Sequence, residues 1–259
     1  MNKRADKAIQ EWDIESYDGR VFYCCGMKPD GGGPFPAVVF IHGGYGDNQE
    51  YTRRLLDWSV AELLLREGFA VFSADYRVDQ SGRDIDDVEA AFRFVGDLPF
   101  VNERRIAYFG DSHGAYLAIM AAIRTRPYAL VHGWGVADMA EWYRYILKLS
   151  APYYKKVVED FTKSLGGTPD QSAEAYRQVS PVEHVAKIEC PVLILHGEDD
   201  EDVPVVHARI LADAMKKAGG KYQVELFQNA GHGLRSPEFR QSMDTLVLEF
   251  LNRYLQKPY

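Results

Sequence analysis

Ser112 lies between Gly110 and Gly114 in the stretch YFGDSHGAYLA, which covers residues 108–118. An apolar run precedes this G-x-S-x-G pattern and a helix-like run follows it. A serine on a sharp turn between a strand and a helix has its hydroxyl held at the edge of the sheet. The residues two positions before and after the serine must then have almost no side chain, because larger side chains would collide across the turn. The pattern therefore predicts a nucleophilic serine that attacks a carbonyl carbon.

A serine hydroxyl is a poor nucleophile near neutral pH, so a base must take its proton. Of the seven histidines, His232 is the candidate, because it lies in the glycine-flanked loop NAGHGLRSP after an apolar run. The chain order serine, acid, histidine also places the base near the C-terminus. The other histidines end strands, lie inside elements or, like His113, adjoin the serine with a side chain expected to point elsewhere.

An acid between the serine and His232 is needed to orient the imidazole. The segment PVLILHGEDDEDVP supplies five candidates directly after an apolar run. Spacing alone leaves the choice open among Glu198, Asp199, Asp200, Glu201 and Asp202. A calcium loop would need a D-x-[DN]-x-[DN]-G pattern, which the segment does not have.

Backbone N–H groups must face the oxygen of the tetrahedral intermediate. The stretch FIHGGYGD after an apolar run has a glycine-rich turn of the HGG type. We expect the two donors to be the N–H of Gly44 and the N–H of His113, the residue after the nucleophile.

Short apolar runs that lack polar alternation are separated by longer amphipathic stretches, which is typical of a parallel sheet covered by helices on both faces. The sequence predicts an α/β fold with right-handed crossovers. The predicted strands are RVFYCCGM, FPAVVFIHG, FAVFSADY, RIAYFG, LVHGWG, PVLILHG and YQVELFQN. The predicted helices cover about 51–67, 84–97, 113–126, 204–218 and 236–256.

Residues 138–180 contain no convincing strand and are predicted to form a small helical insertion. Ligands of an open α/β sheet sit beyond the carboxyl ends of its strands. An insertion that follows LVHGWG is therefore expected to overhang that edge.

The composition of the chain indicates which classes of partner, compartment and cofactor to expect. A net charge of −8 disfavours nucleic acids and anionic membranes as partners, because both bind basic surfaces. There is no apolar run long enough for a transmembrane helix and no signal-like apolar stretch after the first residues. The chain has only three cysteines, Cys24, Cys25 and Cys190. Because a low and odd number does not form a framework of disulfides, we expect reduced thiols and a cytoplasmic location. No metal-ligand spacing is present, so no metal and no cofactor are expected.

Taken together, HGGYG, GDSHGAY, the segment YRQVSPVEHVAKIECPVLILHGEDDEDVP and NAGHG resemble the α/β-hydrolase superfamily. More narrowly, they are similar to the catalytic domain of prolyl oligopeptidase-like serine hydrolases, from about residue 20 onwards. The resemblance implies a single α/β-hydrolase domain over 1–259, with a mostly parallel sheet of about eight strands. It also implies that the acid is Asp200, three residues before the Val of the Val203-Pro204 pair.

The resemblance further implies an acyl pocket formed after LVHGWG. Met139, Trp142 and Tyr143 match that zone, and Tyr45 follows the oxyanion turn. The chain departs from the family pattern in two ways. Ala115 replaces a usual glycine, and the residues before FPAVVFIHGG leave room for only a strand or two, which argues against the family's N-terminal β-propeller.

We expect a serine hydrolase that cleaves carboxylic esters through an acyl-enzyme, with a small-molecule ester or a short peptide as substrate. A peptidase without the propeller is the alternative. A non-catalytic binding protein on the same scaffold is the alternative of another class, and it would not react with a fluorophosphonate probe. The number of subunits stays open, with a homo-oligomer as one option.

Overall fold

The structure of the protein is a computed structural model that describes residues 8–44, 48–77 and 82–256. Its centre is an eight-stranded sheet. The strands are β1 (Gln10–Glu15), β2 (Val21–Met27), β3 (Phe35–Ile41), β4 (Ala70–Ala74), β5 (Val101–Asp111), β6 (Ala129–Gly133), β7 (Val192–Gly197) and β8 (Tyr222–Phe227).

The strands are arranged in the order β1-β2-β4-β3-β5-β6-β7-β8. From β4 to β8 the neighbouring strands are parallel, whereas β1 pairs with β2 and β2 pairs with β4 in the antiparallel sense. The predicted mostly parallel sheet is therefore confirmed. Strand β1 was not predicted, because its sequence QEWDIE has only Trp12 and Ile14 as apolar residues and it lies at the edge of the sheet.

Helices cover both faces of the sheet. They are α1 (Gln49–Leu55), α2 (Ser59–Arg66), α3 (Arg83–Asp97), α4 (His113–Thr125), α5 (Met139–Ile146), α6 (Pro152–Ser164), α7 (Ala173–Gln178), α8 (Val206–Lys217) and α9 (Pro237–Leu251). Short 3-10 turns cover Pro181–Glu183 and Val185–Lys187, and a π-helical turn covers Asn252–Gln256. Among the described helices, none is long and apolar enough to span a membrane.

Alternate residues of a strand point to opposite faces, and β3 divides its side chains in this way. Val39 and Ile41 pack into a core with residues of α3, α4 and α8, whereas Val38 and Phe40 pack with residues of α1, α2 and α9. The two cores hold the central strands rigidly, so the loops at the carboxyl ends of the parallel strands have fixed starting points.

The predicted helix over 51–67 is divided into α1 and α2. The break comes at Trp58, whose backbone is extended, with φ −67° and ψ 143°. The apolar pattern continues through the break because both helices bury their leucines in the same core. Periodicity alone therefore did not reveal the break.

The predicted helical segment at 138–180 contains α5, α6 and α7, between β6 and β7. Asp138 starts α5 by accepting hydrogen bonds from the backbone N–H groups of Ala140 and Glu141. These helices follow the carboxyl end of β6, which adjoins the end of β5 where Ser112 lies.

Candidate active site

Ser112 occupies the sharp turn between β5 and α4, with the strained dihedral angles φ 55° and ψ −115°. The flanking glycines are required by close backbone contacts. A Cβ atom on Gly110 would lie 2.4 Å from the Cα of Ala115, and one on Gly114 would lie 2.1 Å from the carbonyl oxygen of Ile41. The turn thus presents the serine hydroxyl beyond the sheet at the positive N-terminal end of α4.

His232 and Asp200 meet Ser112 from two other loops. The Ser112 hydroxyl is 2.9 Å from Nε2 of His232, and Nδ1 of His232 is 2.8 Å from Oδ2 of Asp200. His232 follows β8 and Asp200 follows β7. Of the five acids left open by spacing, Asp200 is the one that contacts the imidazole. This arrangement lets the hydroxyl proton pass to Nε2 while the carboxylate holds Nδ1–H.

The turn around Asp200 keeps its carboxylate ionised. Oδ1 accepts hydrogen bonds from the backbone N–H groups of Asp202 at 2.9 Å and Val203 at 2.8 Å. Nε2 of His196 lies 3.3 Å from Oδ2. Burial by itself would raise the pKa of Asp200, but the hydrogen bonds from His196 and His232 outweigh it and hold that pKa below its usual value.

The pKa of His232 is shifted in the opposite direction. Burial lowers it, but the hydrogen bond and the negative charge of Asp200 raise it more, so that the pKa lies above its ordinary value. The charges of Asp202 and Asp111 act in the same sense. A more basic imidazole takes the serine proton more readily, which suits a general base.

The glycine turn after β3 approaches the nucleophile closely. A Cβ atom on Gly43 would lie 2.9 Å from the Cβ of Ser112, and Gly44 has a φ of 73°, in the left-handed region. His113 is the first residue of α4, and its side chain is directed away to Asp84, with Nε2 3.5 Å from Oδ2. Gly44 thus follows the residue that approaches Ser112, and His113 follows Ser112 directly in the chain. The role of their N–H groups as oxyanion donors stays a prediction.

Asp111 is a residue that sequence reasoning missed. Its Oδ2 accepts hydrogen bonds from the Tyr51 hydroxyl at 2.6 Å and from the Gly43 N–H at 3.3 Å, and its Oδ1 accepts one from the Trp134 indole. The buried carboxylate of Asp111, the residue before the nucleophile, thus holds the glycine turn at Gly43 beside Ser112. An aspartate directly after the apolar run of β5 and directly before the nucleophile was the available signal.

A second set of contacts holds the same turn. The Tyr76 hydroxyl lies 2.9 Å from the carbonyl oxygen of His42 and 2.8 Å from that of Gly44. The ring of His42 stacks on Tyr76, and its Nε2 is 3.0 Å from Oδ1 of Asp75. The orientation of Gly44 therefore depends on side chains that follow β4.

A cleft of about 740 Å³ opens beside Ser112. Of the four residues predicted for the acyl pocket, Trp142 lines it. Met139 and Tyr143 are absent from its lining: both are buried in the core, and Tyr143 packs against Tyr176 of α7 and contacts Thr162 of α6. These two side chains thus lie in the core and not on the cleft surface, and their assignment to an acyl pocket stays a prediction. Tyr45 lies outside the described residues.

Other cleft residues were not anticipated. Tyr153 and Tyr154 of α6 and Asp202 lie together on the side of the insertion, where the Tyr154 hydroxyl donates to Asp202. The cleft is also lined by Trp58, between α1 and α2, and by three arginines: Arg54 of α1, Arg235 of the loop after β8 and Arg240 of α9. Within residues 8–44, 48–77 and 82–256, no cluster of His, Cys, Asp and Glu has the arrangement of a metal site.

Comparison with known proteins agrees with this geometry. The sequence profile of the prolyl oligopeptidase family matches residues 57–258. The uncharacterized peptidase YtmA of Bacillus subtilis (strain 168) is 30% identical over 197 residues, which cover 72% of this chain and 74% of that protein. An acylaminoacyl peptidase of Pyrococcus horikoshii superposes with a TM-score of 0.79 at 21% identity, covering 99% of this chain and 43% of its own.

A hyperthermophilic esterase from Pyrobaculum calidifontis has the same fold, with a TM-score of 0.74 at 20% identity. The matched region covers 96% of this chain and 86% of the esterase. This chain thus spans most of the length of the Bacillus relative and of the esterase, but less than half of the Pyrococcus peptidase.

Proposed function

Because the chain belongs to the prolyl oligopeptidase family and is a serine hydrolase, we propose that it hydrolyses short peptides through an acyl-enzyme formed on Ser112. The observation that carries this proposal is the pair of hydrogen bonds that joins Ser112 to His232 and His232 to Asp200, at 2.9 and 2.8 Å.

In the proposed reaction the Ser112 oxygen attacks the substrate carbonyl carbon, and Nε2 of His232 takes the hydroxyl proton. His232 then gives this proton to the leaving amine as the carbon–nitrogen bond breaks. Asp200 stabilises the imidazolium, and the N–H groups of Gly44 and His113 bind the oxyanion. In the second half of the reaction, Nε2 of His232 takes a proton from a water molecule whose oxygen attacks the ester carbonyl carbon, and returns this proton to the Ser112 oxygen as the ester carbon–oxygen bond breaks.

Two observations favour a peptide over the simple ester that the sequence first indicated. The 30% identical relative carries the name of a peptidase. The cleft also offers hydrogen-bonding groups on both of its sides, including Asn48, Tyr154 and Asp202, which suit the repeated N–H and C=O groups of a peptide. Simple esters are the second candidate, because the same triad expels an alcohol more easily than an amine.

The test compares purified protein and Ser112→Ala on a fluorophosphonate probe, on p-nitrophenyl butyrate and on a set of acylated tripeptides. We expect the native protein to be labelled and to cleave peptides, and Ser112→Ala to lose both reactions, with turnover lower by on the order of 10⁶-fold. Peptide cleavage that survives in a folded Ser112→Ala protein would refute the mechanism. Ester cleavage without peptide cleavage would instead establish the second candidate.

We also propose that residues 1–259 form one domain that acts in the cytoplasm. The three cysteines are buried free thiols, which is compatible with a reducing compartment. Fractionation of cells and limited proteolysis of the purified protein would test the two statements separately.

A further inference from the structure

Three arginines line the cleft beside Ser112. Arg54 lies in the last turn of α1, Arg235 in the loop after His232, and Arg240 in the first turn of α9. All three are exposed to solvent. They converge on the cleft from separate elements, so their proximity is a product of the tertiary structure.

Within the described part of the chain, the side chains of these three arginines make no ion pair and no hydrogen bond. Burial raises the pKa of Asp244, one turn later than Arg240 on α9, and the charge of Arg240 acts to lower it. Other exposed arginines differ: Arg53 of α1 pairs with Glu11, and Arg209 of α8 pairs with Glu198 at 3.3 Å. The chain has 38 acidic and 30 basic residues, so acids are not scarce. Three unpaired cations in one cleft of an acidic protein indicate a site for an anion.

Among the described residues, the two acids that line the cleft, Asp111 and Asp202, keep their negative charges, but they do not pair with the arginines, and the three guanidinium groups outnumber them. Asp111 accepts hydrogen bonds from Tyr51, Gly43 and Trp134, and Asp202 accepts one from Tyr154. Arg235 also borders a depression with Asp199 and Glu201, yet no ion pair joins it to either of them. A guanidinium group with all its donors available binds a carboxylate in a bidentate manner.

The charges of two of these arginines act on Tyr51, which lines the cleft next to Asp111. Burial raises the pKa of Tyr51, and the charge of Asp111 adds to this effect, whereas Arg235 and Arg54 both act to lower it. The Tyr51 hydroxyl lies 2.6 Å from Asp111, the residue before Ser112. Two of the three guanidinium groups therefore act on the immediate surroundings of the nucleophile.

We propose that the cleft selects substrates whose leaving group carries a carboxylate, and that Arg54, Arg235 and Arg240 bind this carboxylate. The leaving group takes its proton from His232, and Arg235 is on the same loop, three residues later. On this assignment the substrate is a short peptide with a free C-terminal carboxylate close to the scissile bond. The inference rests on the proposed peptidase function and adds a substrate class to it.

The first experiment uses acetylated tripeptides, each made with a free C-terminal carboxylate and with a C-terminal amide. We expect kcat/KM to be higher for the free acid by on the order of tenfold or more, from charge-assisted hydrogen bonds, and the ratio to fall as salt is added. A succinyl group in place of acetyl puts the carboxylate on the acyl side and is expected to give no such gain. Equal rates for acid and amide, or a gain from succinyl alone, would overturn the inference.

The second experiment changes the protein. The triple variant Arg54→Gln, Arg235→Gln, Arg240→Gln is expected to lose the preference for the free acid. Arg235→Glu is expected to shift preference toward peptides ending in lysine amide, an effect that a purely structural role would not produce. The matched control Arg53→Gln removes an exposed cation of α1 that lies outside the cleft, and should retain the acid-to-amide ratio. An unchanged ratio in the triple variant would refute the assignment.

The inference and the proposed function fail in different ways. If no peptide is cleaved and the probe does not label Ser112, both fail. If peptides are cleaved and the acid-to-amide ratio is one, the peptidase function stands and only the role of the arginines is wrong. Labelling of each variant by the probe shows that its active site is folded.

Discussion

The protein contains two histidine–aspartate pairs with similar contacts and different surroundings. Nε2 of His42 lies 3.0 Å from Asp75, and Nδ1 of His232 lies 2.8 Å from Asp200. The side chain of His42 is completely buried, whereas 16% of the His232 side chain is exposed, at the cleft. Both pairs have a carboxylate that stays ionised, because hydrogen bonds outweigh burial and lower the pKa of both Asp75 and Asp200.

The two pairs differ in the contact made by the ring nitrogen that does not face the aspartate. Nδ1 of His42 contacts the carbonyl oxygen of Gly43 at 2.9 Å, so this ring holds the oxyanion turn. Nε2 of His232 contacts the Ser112 hydroxyl. A histidine–aspartate contact is therefore not itself a sign of catalysis. A reactive group on the free nitrogen, together with access for the substrate, makes the difference.

Replacing each histidine by alanine tests most directly whether His232 is catalytic and His42 is structural. We expect His232→Ala to lower kcat by on the order of 10⁶-fold with the fold retained, because the serine loses its base. We expect His42→Ala to lower the free energy of unfolding by about 1–3 kcal/mol, because the buried carboxylate of Asp75 loses the hydrogen bond from the imidazole and keeps only those from backbone N–H groups. Steady-state kinetics and denaturant unfolding measure the two effects, and the comparison fails if the two variants behave alike.

Replacing each carboxylate by an amide gives the next largest effect. Asp200→Asn is expected to lower kcat by on the order of 10⁴-fold, since an amide no longer holds the imidazole in the required tautomer. Asp75→Asn should lower kcat much less, because its histidine does not exchange a proton with the substrate. A larger loss of kcat in Asp75→Asn than in Asp200→Asn would contradict the assigned roles.

The pH dependence of kcat/KM sharpens the assignment of His232. The base must be neutral, and its pKa is raised above the ordinary value of about 6.5, so activity should fall as the pH drops through that raised pKa. The charge of Asp202 contributes to the increase. Asp202→Asn should therefore move the acid limb to lower pH, while the exposed neighbour Asp199 provides the control variant Asp199→Asn. A limb that stays in place in Asp202→Asn would contradict this electrostatic contribution.

A smaller effect concerns stability in acid. Burial, and the nearby ring of His196, lower the pKa of His132 to about 3 and that of His207 to about 4. The unfolded chain binds these protons from about pH 6.5 downwards, so the folded state loses stability as the pH falls from there toward 4. His132→Phe removes one titrating group, and should lessen the slope by up to about 1.4 kcal/mol per pH unit.

Unfolding in urea at several pH values measures this slope. The control is Val131→Ala, which changes the neighbouring buried residue of β6 and removes no titrating group, so it should leave the slope as in the native protein. The same slope in His132→Phe and the native protein would show that His132 does not contribute.

Much of the sheet and the candidate site could be predicted from sequence because both have local signals. Seven strands are apolar runs, and Ser112 and His232 are flanked by glycines that mark tight turns. Asp200 needed the family resemblance, since its four acidic neighbours have the same local pattern. Strand β1 was missed because this edge strand has few apolar residues. The break at Trp58 was missed because the helices on both sides of it bury leucines in the same core.

The cleft was the least predictable region. Met139, Trp142 and Tyr143 are close in sequence, yet only Trp142 lines the cleft, because residues on successive positions of a helix point in different directions. Tyr153 and Arg240 reach the same cleft from α6 and α9, and no local pattern connects these segments.

The sequence by itself determined the α/β class, the strained serine turn and the two glycine-flanked loops, because backbone preferences and burial periodicity act over a few neighbouring residues. Only the tertiary structure decided which carboxylate faces His232, how Asp111 joins the oxyanion turn to the nucleophile, and which arginines meet in the cleft. Such contacts join residues that are tens to more than a hundred positions apart, and their distances depend on how whole helices and strands pack.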